Sequence, residues 1–219
     1  MISPALANEA IRLYRRYQEE IVESLNLCPW AQRARFDGRV RENVVVWPCD
    51  DFAAPLAAVD DMARDPTVEI GLLLFPTAHV ARNDFERFVS RLVDEDARRR
   101  EIGTVPFAMA AFHPDAEADL SDPERLISFL RRTPDPTIQL VRCDALDRVR
   151  GGFSDGTAFV DINFLSTLDQ RREATLPLRE RIARANQRTV EQLGVPEVRR
   201  RLESIRRDRD ATYAGLGVK

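Results

Sequence analysis

The chain has 219 residues, with 33 Lys+Arg against 36 Asp+Glu, and at 44% hydrophobic and 32% charged it falls within the soluble globular range. That composition excludes disordered, collagenous and membrane classes, and the near-balanced charge argues against a general nucleic-acid binder. A chain of this length buries roughly 70% of its unfolded surface and needs no disulfide or metal staple.

The only lysine is Lys219, so the basic residues are otherwise arginine. Most of that excess reads as the codon bias of a GC-rich genome, although a guanidinium keeps its charge and clamps carboxylates and phosphates. Met1 to Glu20 carries no apolar targeting segment. The longest apolar runs, Ile70 to Pro76 and Val44 to Pro48, are strand-sized and short of the roughly 20 residues of a membrane span. Cys28, Cys49 and Cys143 are widely spaced with no Cys-x-x-Cys pair, the usage of a reducing cytosol. The expectation is a soluble, cytoplasmic protein with no membrane association.

Ser3 and Pro4 start a helix whose Ile11, Tyr14, Ile21, Val22 and Leu25 share one face, ending near Asn26. Arg39 to Trp47 is β-like. Asp50 and Asp51 offer N-caps for a helix to about Arg64. Val68, Ile70, Leu72 and Leu74 alternate as a second strand, and Asn83 can cap a helix striped by Phe85, Phe88, Val89, Leu92 and Val93. Val105 to Phe112 is a third strand. Ser121-Asp122-Pro123-Glu124 is a capping box opening a short helix to about Arg131, and Pro136 to Val141 is a fourth strand. A short helix, Asp144 to Arg150, stops at Gly151-Gly152, and Ala158 to Leu165 reads as a fifth, edge strand or an irregular run. Two helices close the chain, Leu178 to Leu193 and Glu197 to Arg209, split by Gly194 and Pro196.

Strands about 30 residues apart with helices between them signal right-handed crossovers. The predicted class is α/β: a mainly parallel four- to five-stranded sheet with helices on its faces and a C-terminal helical extension. The alternative is a two-layer α+β fold with one strand reversed. The domain organisation is an α/β core over 1–165 and an arginine-rich helical extension over 166–219, packed on or projecting from the core. Residues 171–210 hold 12 Arg against 7 Asp+Glu, a basic hairpin on an acidic body. Such a run is usually a solvated face; otherwise it suits an acidic protein partner or a homo-oligomer interface.

Ligands of open parallel sheets bind where the carboxyl ends of strands emerge. Both histidines, His79 and His113, fall just past predicted strand ends, as do Cys49 and Cys143. Cys28, beside Pro29 and Trp30 at a helix end, is either a small buried thiol packed by Trp30 or a positioned nucleophile, redox centre or ligand. Arg131 and Arg132 sit in a loop stiffened by Pro134 and Pro136, and Arg142 ends the next strand. Preorganised guanidiniums suit a carboxylate or phosphate, and salt bridging to Asp135, Asp144 or Glu124 is the competing reading. Arg142 lies about 20 Å along the strand from the other two, which strains a shared site.

Leu25-Asn26-Leu27-Cys28-Pro29-Trp30-Ala31, Ala111-Phe112-His113-Pro114, and Arg132-Thr133-Pro134-Asp135-Pro136 running to Val141-Arg142 occur in that order. Together they resemble the bacterial family called domain of unknown function 1415, over about residues 10–165. That family shows Leu-Cys-Pro-Phe-Ala, Phe-His-Pro and Arg-Ser-Pro-x-Pro elements. The chain departs from it at Trp30 (phenylalanine), at Thr133 (serine) and at Gln139, where the family tends to have histidine; the tail from about 171 is additional. The resemblance also points to Asn163 as the equivalent of a late asparagine. It implies which residues matter and leaves the chemistry open.

Three functions follow. The first is a small-molecule enzyme with Cys28 as nucleophile, His113 as base and Asn163 orienting it, while Arg131, Arg132, Arg142 and Trp30 bind an anionic substrate. The second is a non-catalytic anion-binding or assembly module with a basic helical tail. The third is a metal site from Cys49, His79 and His113, although no local ligand pair supports it. No Gly-x-Gly-x-x-Gly or Walker loop is present, so nucleotide binding of the common kinds has no support and the cofactor is left unknown.

Overall fold

The computed structural model describes residues 2–28, 31–101, 103–116, 126, 129–146 and 178–218. Helix α1 (Pro4–Tyr17) starts as the sequence indicates: Ser3 Oγ accepts the Leu6 N–H at 3.2 Å, and proline occupies the first turn. It runs straight into a π-helical segment, Gln18–Glu23, which widens the backbone before the chain turns away. A short helix α2 (Ala31–Phe36) leads to strand β1 (Val40–Val44). Then come α3 (Ala53–Arg64), β2 (Ile70–Leu74), α4 (Arg82–Arg98), β3 (Phe107–Phe112) and β4 (Thr137–Arg142). Asp51 caps the start of α3 by accepting the Ala53 N–H at 2.8 Å, whereas α4 begins at Arg82 with Ala81 in the cap position, so Asn83 lies inside the helix. Leu126, Phe129 and Leu130 are helical, as are residues 143–146; the rest of those two predicted helices and the Ala158 to Leu165 run lie outside the described residues. Helices α5 (Leu178–Leu193) and α6 (Val195–Gly215) end the chain, separated by Gly194 at φ 83°.

The sheet order is β1-β2-β4-β3. Only β1 and β2 form a parallel pair; β4 is antiparallel to both of its neighbours. The expectation of a mainly parallel sheet is thereby corrected to a mixed α/β fold with one reversed strand. The reason lies in the β3–β4 connection. Phe112 pairs directly with Thr137, so the chain leaves β3 and re-enters β4 at the same end of the sheet without crossing it. A connection this long fits either a crossover or a wide return, and spacing alone does not separate them.

Helices cover both faces. On one, Ile70, Leu72 and Leu74 pack with Tyr14, Tyr17 and Ile21 and with Val198, Leu202 and Ile205 of α6. On the other, Leu73, Ile138 and Leu140 pack with Val59 and Met62 of α3 and with Phe85, Phe88, Val89 and Leu92 of α4. All five residues of β2 are therefore buried. A Cβ on Gly71 would run into the Met62 sulfur and Leu140, so glycine is what allows α3 to approach the sheet.

The C-terminal helices are joined to the body by charge as well as apolar contact. Asp208 of α6 accepts a bidentate pair from Arg12 (2.9 and 3.0 Å) and a third bond from Arg16 (2.8 Å). Asp135, in the loop before β4, is buried and accepts from Arg209 Nε at 2.9 Å and the Tyr213 hydroxyl at 2.6 Å. Its own carbonyl accepts the Thr133 and Thr137 hydroxyls at 2.7 and 2.8 Å. Part of the charge on the basic hairpin is thus used within the chain.

Two outcomes follow from these links. Replacing Arg209 with Met leaves the Asp135 carboxylate buried without its cation and lowers unfolding free energy by about 3 kcal/mol in a denaturant titration. The second concerns acid. Arg12 and Arg16 hold the Asp208 carboxyl down at about 2, below its unfolded value of about 3.9. Its contribution is therefore complete above about pH 4 and is lost as pH falls toward 2. Asp208→Asn flattens the pH dependence of the denaturation midpoint across that window and costs roughly 0.5–1 kcal/mol at neutral pH.

Candidate functional site

Asn26 ends the first helical segment in the left-handed region, at φ 51°, a conformation asparagine tolerates better than most side chains. The Leu27 N–H returns to the Val22 carbonyl at 2.8 Å, and the turn delivers Cys28 against the α1 side of the sheet. There Cys28 lines a cavity of about 380 Å³ between the sheet, α1, the π-helical segment and α5. Its floor comes from β2, β3 and β4, including Leu72, Ala110 and Gln139, and its walls include Tyr14, Tyr17, Gln18 and Asn186. Arg131 enters from the loop before β4, its guanidinium 4.9 Å from the centre of the Phe112 ring, and is the only charged side chain lining the cavity among the described residues.

The tyrosines are held firmly. The Tyr17 hydroxyl donates to the Leu130 carbonyl at 2.6 Å, tying α1 to the segment that carries Arg131. Burial raises both tyrosine hydroxyls well above their ordinary titration range, so both remain neutral phenols.

Of the residues singled out from sequence, Cys28 and Arg131 share this cavity; the other described ones are placed elsewhere. Trp30 and Asn163 lie outside the described residues. His113 follows Phe112 by one residue, and that step carries it to the opposite side of the sheet, 5.8 Å from the Phe85 ring. Its Nδ1 accepts the Asp115 N–H at 3.1 Å, so Nε2 carries the proton and donates to the Val80 carbonyl, also at 3.1 Å. Burial lowers its pKa, and with both nitrogens occupied by main chain the ring is not presented to Cys28.

Arg132 donates from Nε to the Ala116 carbonyl at 2.6 Å and is half-buried near Arg199 and Arg206 of α6, which together with burial lower its pKa. Arg142 spends its guanidinium on the carbonyls of Val68 (2.5 Å), Asp65 (2.7 Å) and Met62 (3.1 Å), closing the end of α3. Arg142 ends β4 and Arg131 precedes it, so the two sit at opposite ends of the sheet. The grouping of three arginines around one ligand is therefore corrected to one cavity arginine. The metal trio is corrected too. Cys49 and His79 are exposed, His113 has no nitrogen to spare, and among the described residues no three His, Cys, Asp or Glu side chains assemble a metal site.

In the sequence Gln18 and Asn186 look like ordinary helix residues, and Tyr14 reads only as part of the apolar face of the first helix. Gln139 was noted only for standing where related sequences tend to have histidine.

The sequence motifs and this geometry meet in the family comparison, which matches residues 9–175 to the family described as "Protein of unknown function (DUF1415)". The chain belongs to the DUF1415 family. No curated protein and no solved structure matches it. Cys28, Arg131 and Gln139 fall inside the DUF1415 segment, whereas Asn186 and all of α6 fall outside it. Among the described residues no helix is long and apolar enough to cross a membrane.

A buried neutral His113 has a measurable consequence. Its folded pKa lies below the unfolded value near 6.5, so the unfolded state binds the extra proton and stability falls as pH drops below about 6.5. Replacing His113 with Gln removes that part of the slope in denaturation midpoints between pH 7 and 5, and leaves the reactivity of the Cys28 thiol unchanged.

Proposed function

We propose that the cavity is a small-molecule site for a carboxylate- or phosphate-bearing substrate, with Arg131 holding the anion and the Cys28 thiol as the reactive group. The observation that carries this reading is the meeting of two motifs a hundred residues apart in one cavity of about 380 Å³, a volume in the range of ligand pockets. A guanidinium in the same cavity as a thiol favours the thiolate, the nucleophilic form. Apolar walls strengthen the attraction of Arg131 for an anion by lowering the local dielectric. His113 does not enter this reading.

The position of both histidines away from the cavity favours a second reading, a non-catalytic anion-binding module. In that case Cys28→Ser leaves ligand affinity intact and Arg131→Gln removes it. An acidic partner or a second copy on the basic hairpin would then use exposed arginines of α6 such as Arg199 and Arg207.

Paired alkylation tests the site without a known substrate. Iodoacetate and iodoacetamide differ in charge and hardly in size, so their rate ratio at one cysteine cancels accessibility. The ratio at Cys28 is expected to exceed that at exposed Cys49 by about fivefold, and Arg131→Gln is expected to erase the difference, about 1 kcal/mol of electrostatic stabilisation. Equal ratios at the two cysteines, unmoved by Arg131→Gln, would sink the proposal.

A further inference from the structure

Arg132, the residue after the cavity arginine, meets α6 instead. Its Nε donates to the Ala116 carbonyl at 2.6 Å, and its guanidinium carbon lies 5.3 Å from the centre of the Phe129 ring. Arg206 donates from Nη1 to Asp115 Oδ1 at 3.1 Å. Asp115 and Ala116 are consecutive, so two guanidiniums are anchored on neighbouring residues. Arg199 stands two turns before Arg206 on the same face of α6. Val198 and Ile205, one residue before each, pack in the core with Phe129 and Leu130 and so seat that face of the helix beside the loop. The result is a cluster of three guanidiniums, one from the loop before β4 and two from the last helix.

The cluster is unfavourable as it stands. Burial lowers the Arg132 pKa most, and the charges of Arg199 and Arg206 lower it further. Asp115 and Glu203 act the other way without restoring it. In a half-buried setting water screens such like charges incompletely. Other arginines of this chain gather around carboxylates. Arg12 and Arg16 share Asp208, and Arg99 and Arg100 share both Asp60 and Asp96. Arg132 and Arg199 share none: neither is hydrogen-bonded to a carboxylate among the described residues. A partly desolvated cation held among like charges is the setting in which an outside anion is stabilising.

We propose that Arg132, Arg199 and Arg206 form a binding site for a phosphoryl group, outside the Cys28 cavity. None of the three lines that cavity, so the inference does not depend on its reading. The choice of phosphoryl over carboxylate follows from the direction of the donors. A carboxylate offers two oxygens in one plane, which a single guanidinium fork satisfies. A phosphoryl group offers three oxygens arranged tetrahedrally, and suits donors that arrive from a loop on one side and a helix on the other. Arg132 lies within the segment matched to DUF1415 and its two partners lie beyond it, so the site exists only where α6 is docked. Free phosphate and the phosphate end of a larger molecule share this chemistry.

Titration of the full-length chain with inorganic phosphate tests the site, read by phosphorus NMR line broadening and by the thermal midpoint. Phosphate is expected to broaden and to raise the midpoint, where chloride at equal ionic strength does not. Phenyl phosphate, with benzoate as its carboxylate counterpart, separates the two sources. Binding tighter than that of inorganic phosphate assigns the site to the end of a larger molecule, and weaker binding assigns it to free phosphate. Arg199→Gln is the deciding variant, because Arg199 is exposed. It is expected to weaken phosphate binding roughly tenfold. Arg207→Gln removes the same charge from the same helix, at an exposed position more than a quarter turn from Arg206. Its effect is expected to stay within about twofold. Chloride matching phosphate, or benzoate matching phenyl phosphate, overturns the inference. So do equal losses in the two variants, which would reduce the cluster to a diffuse positive field.

Discussion

Asp135 is a carboxylate set between two prolines and closed off from water, and the arrangement of the molecule turns on how it is paired. Burial pushes its carboxyl up, while the Arg209 charge and the Tyr213 hydroxyl act the other way. A carboxylate in such a place is destabilising by several kcal/mol unless partners of this kind are present. The partners come from α6, so the docking of the last helix and the shape of the loop before β4 are a single event. The loop in turn sets two things: where β4 enters the sheet, through Thr137, and where Arg131 points, four residues earlier. Arg209 and Tyr213 lie beyond the segment matched to DUF1415, so in this chain a motif of the family segment is completed by residues outside it.

The length of β4 separates Arg142 from the candidate ligand Arg131, and the reversal of the strand decides which edge of the sheet each occupies. Had β4 run parallel to its neighbours, Arg142 would emerge at the same sheet edge as Cys49, His79 and His113. Antiparallel, it emerges beside the carbonyl-rich end of α3, where a guanidinium with five donors and no acceptor is well suited to collect three main-chain oxygens. Arg35 serves as the anchor behind Gln18, and Arg12 and Arg16 join α1 to α6. Compositional bias supplied many arginines, and the fold has put several of them to unlike uses.

Much of the fold was legible because its signals are local. Ser3-Pro4, the Phe85–Leu92 stripe, the valine run near β1 and the Gly194-Pro196 break each depend on neighbours within a turn or two, and each element lies close to where it was expected. Direction of β4 was not legible, since a long connection containing a helix serves either a crossover or a return. The π-helical segment left no mark either: Gln18 to Glu23 reads as ordinary helix, and only the backbone shows the widened turn that sets Gln18 over Glu23. For the site, Cys28 and Arg131 stood out through unusual local chemistry. That they share a cavity, and that His113 does not, are facts of pairing and sidedness. Phe112 faces the cavity and His113 faces α4, a difference of one residue that no periodicity argument resolves at the end of a strand.

The loss of His113 from the site changes what the cavity can do. Among the described lining residues, carboxamides do not titrate, Arg131 keeps its proton, and burial holds Tyr14 and Tyr17 as neutral phenols. The thiol is then the one described lining group able to give up a proton near neutral pH. Catalysis through these side chains has to begin at Cys28, with no neighbouring imidazole to receive what it releases. The same lining sets Arg131 and the polar side chains of Tyr14, Gln18 and Asn186 in a mostly apolar chamber, with the Glu23–Arg35 ion pair behind Gln18 and the Asp135 clamp in the loop that carries Arg131. On the proposed reading, binding and chemistry are divided between two residues of this chamber, Arg131 for the anion and Cys28 for any reaction.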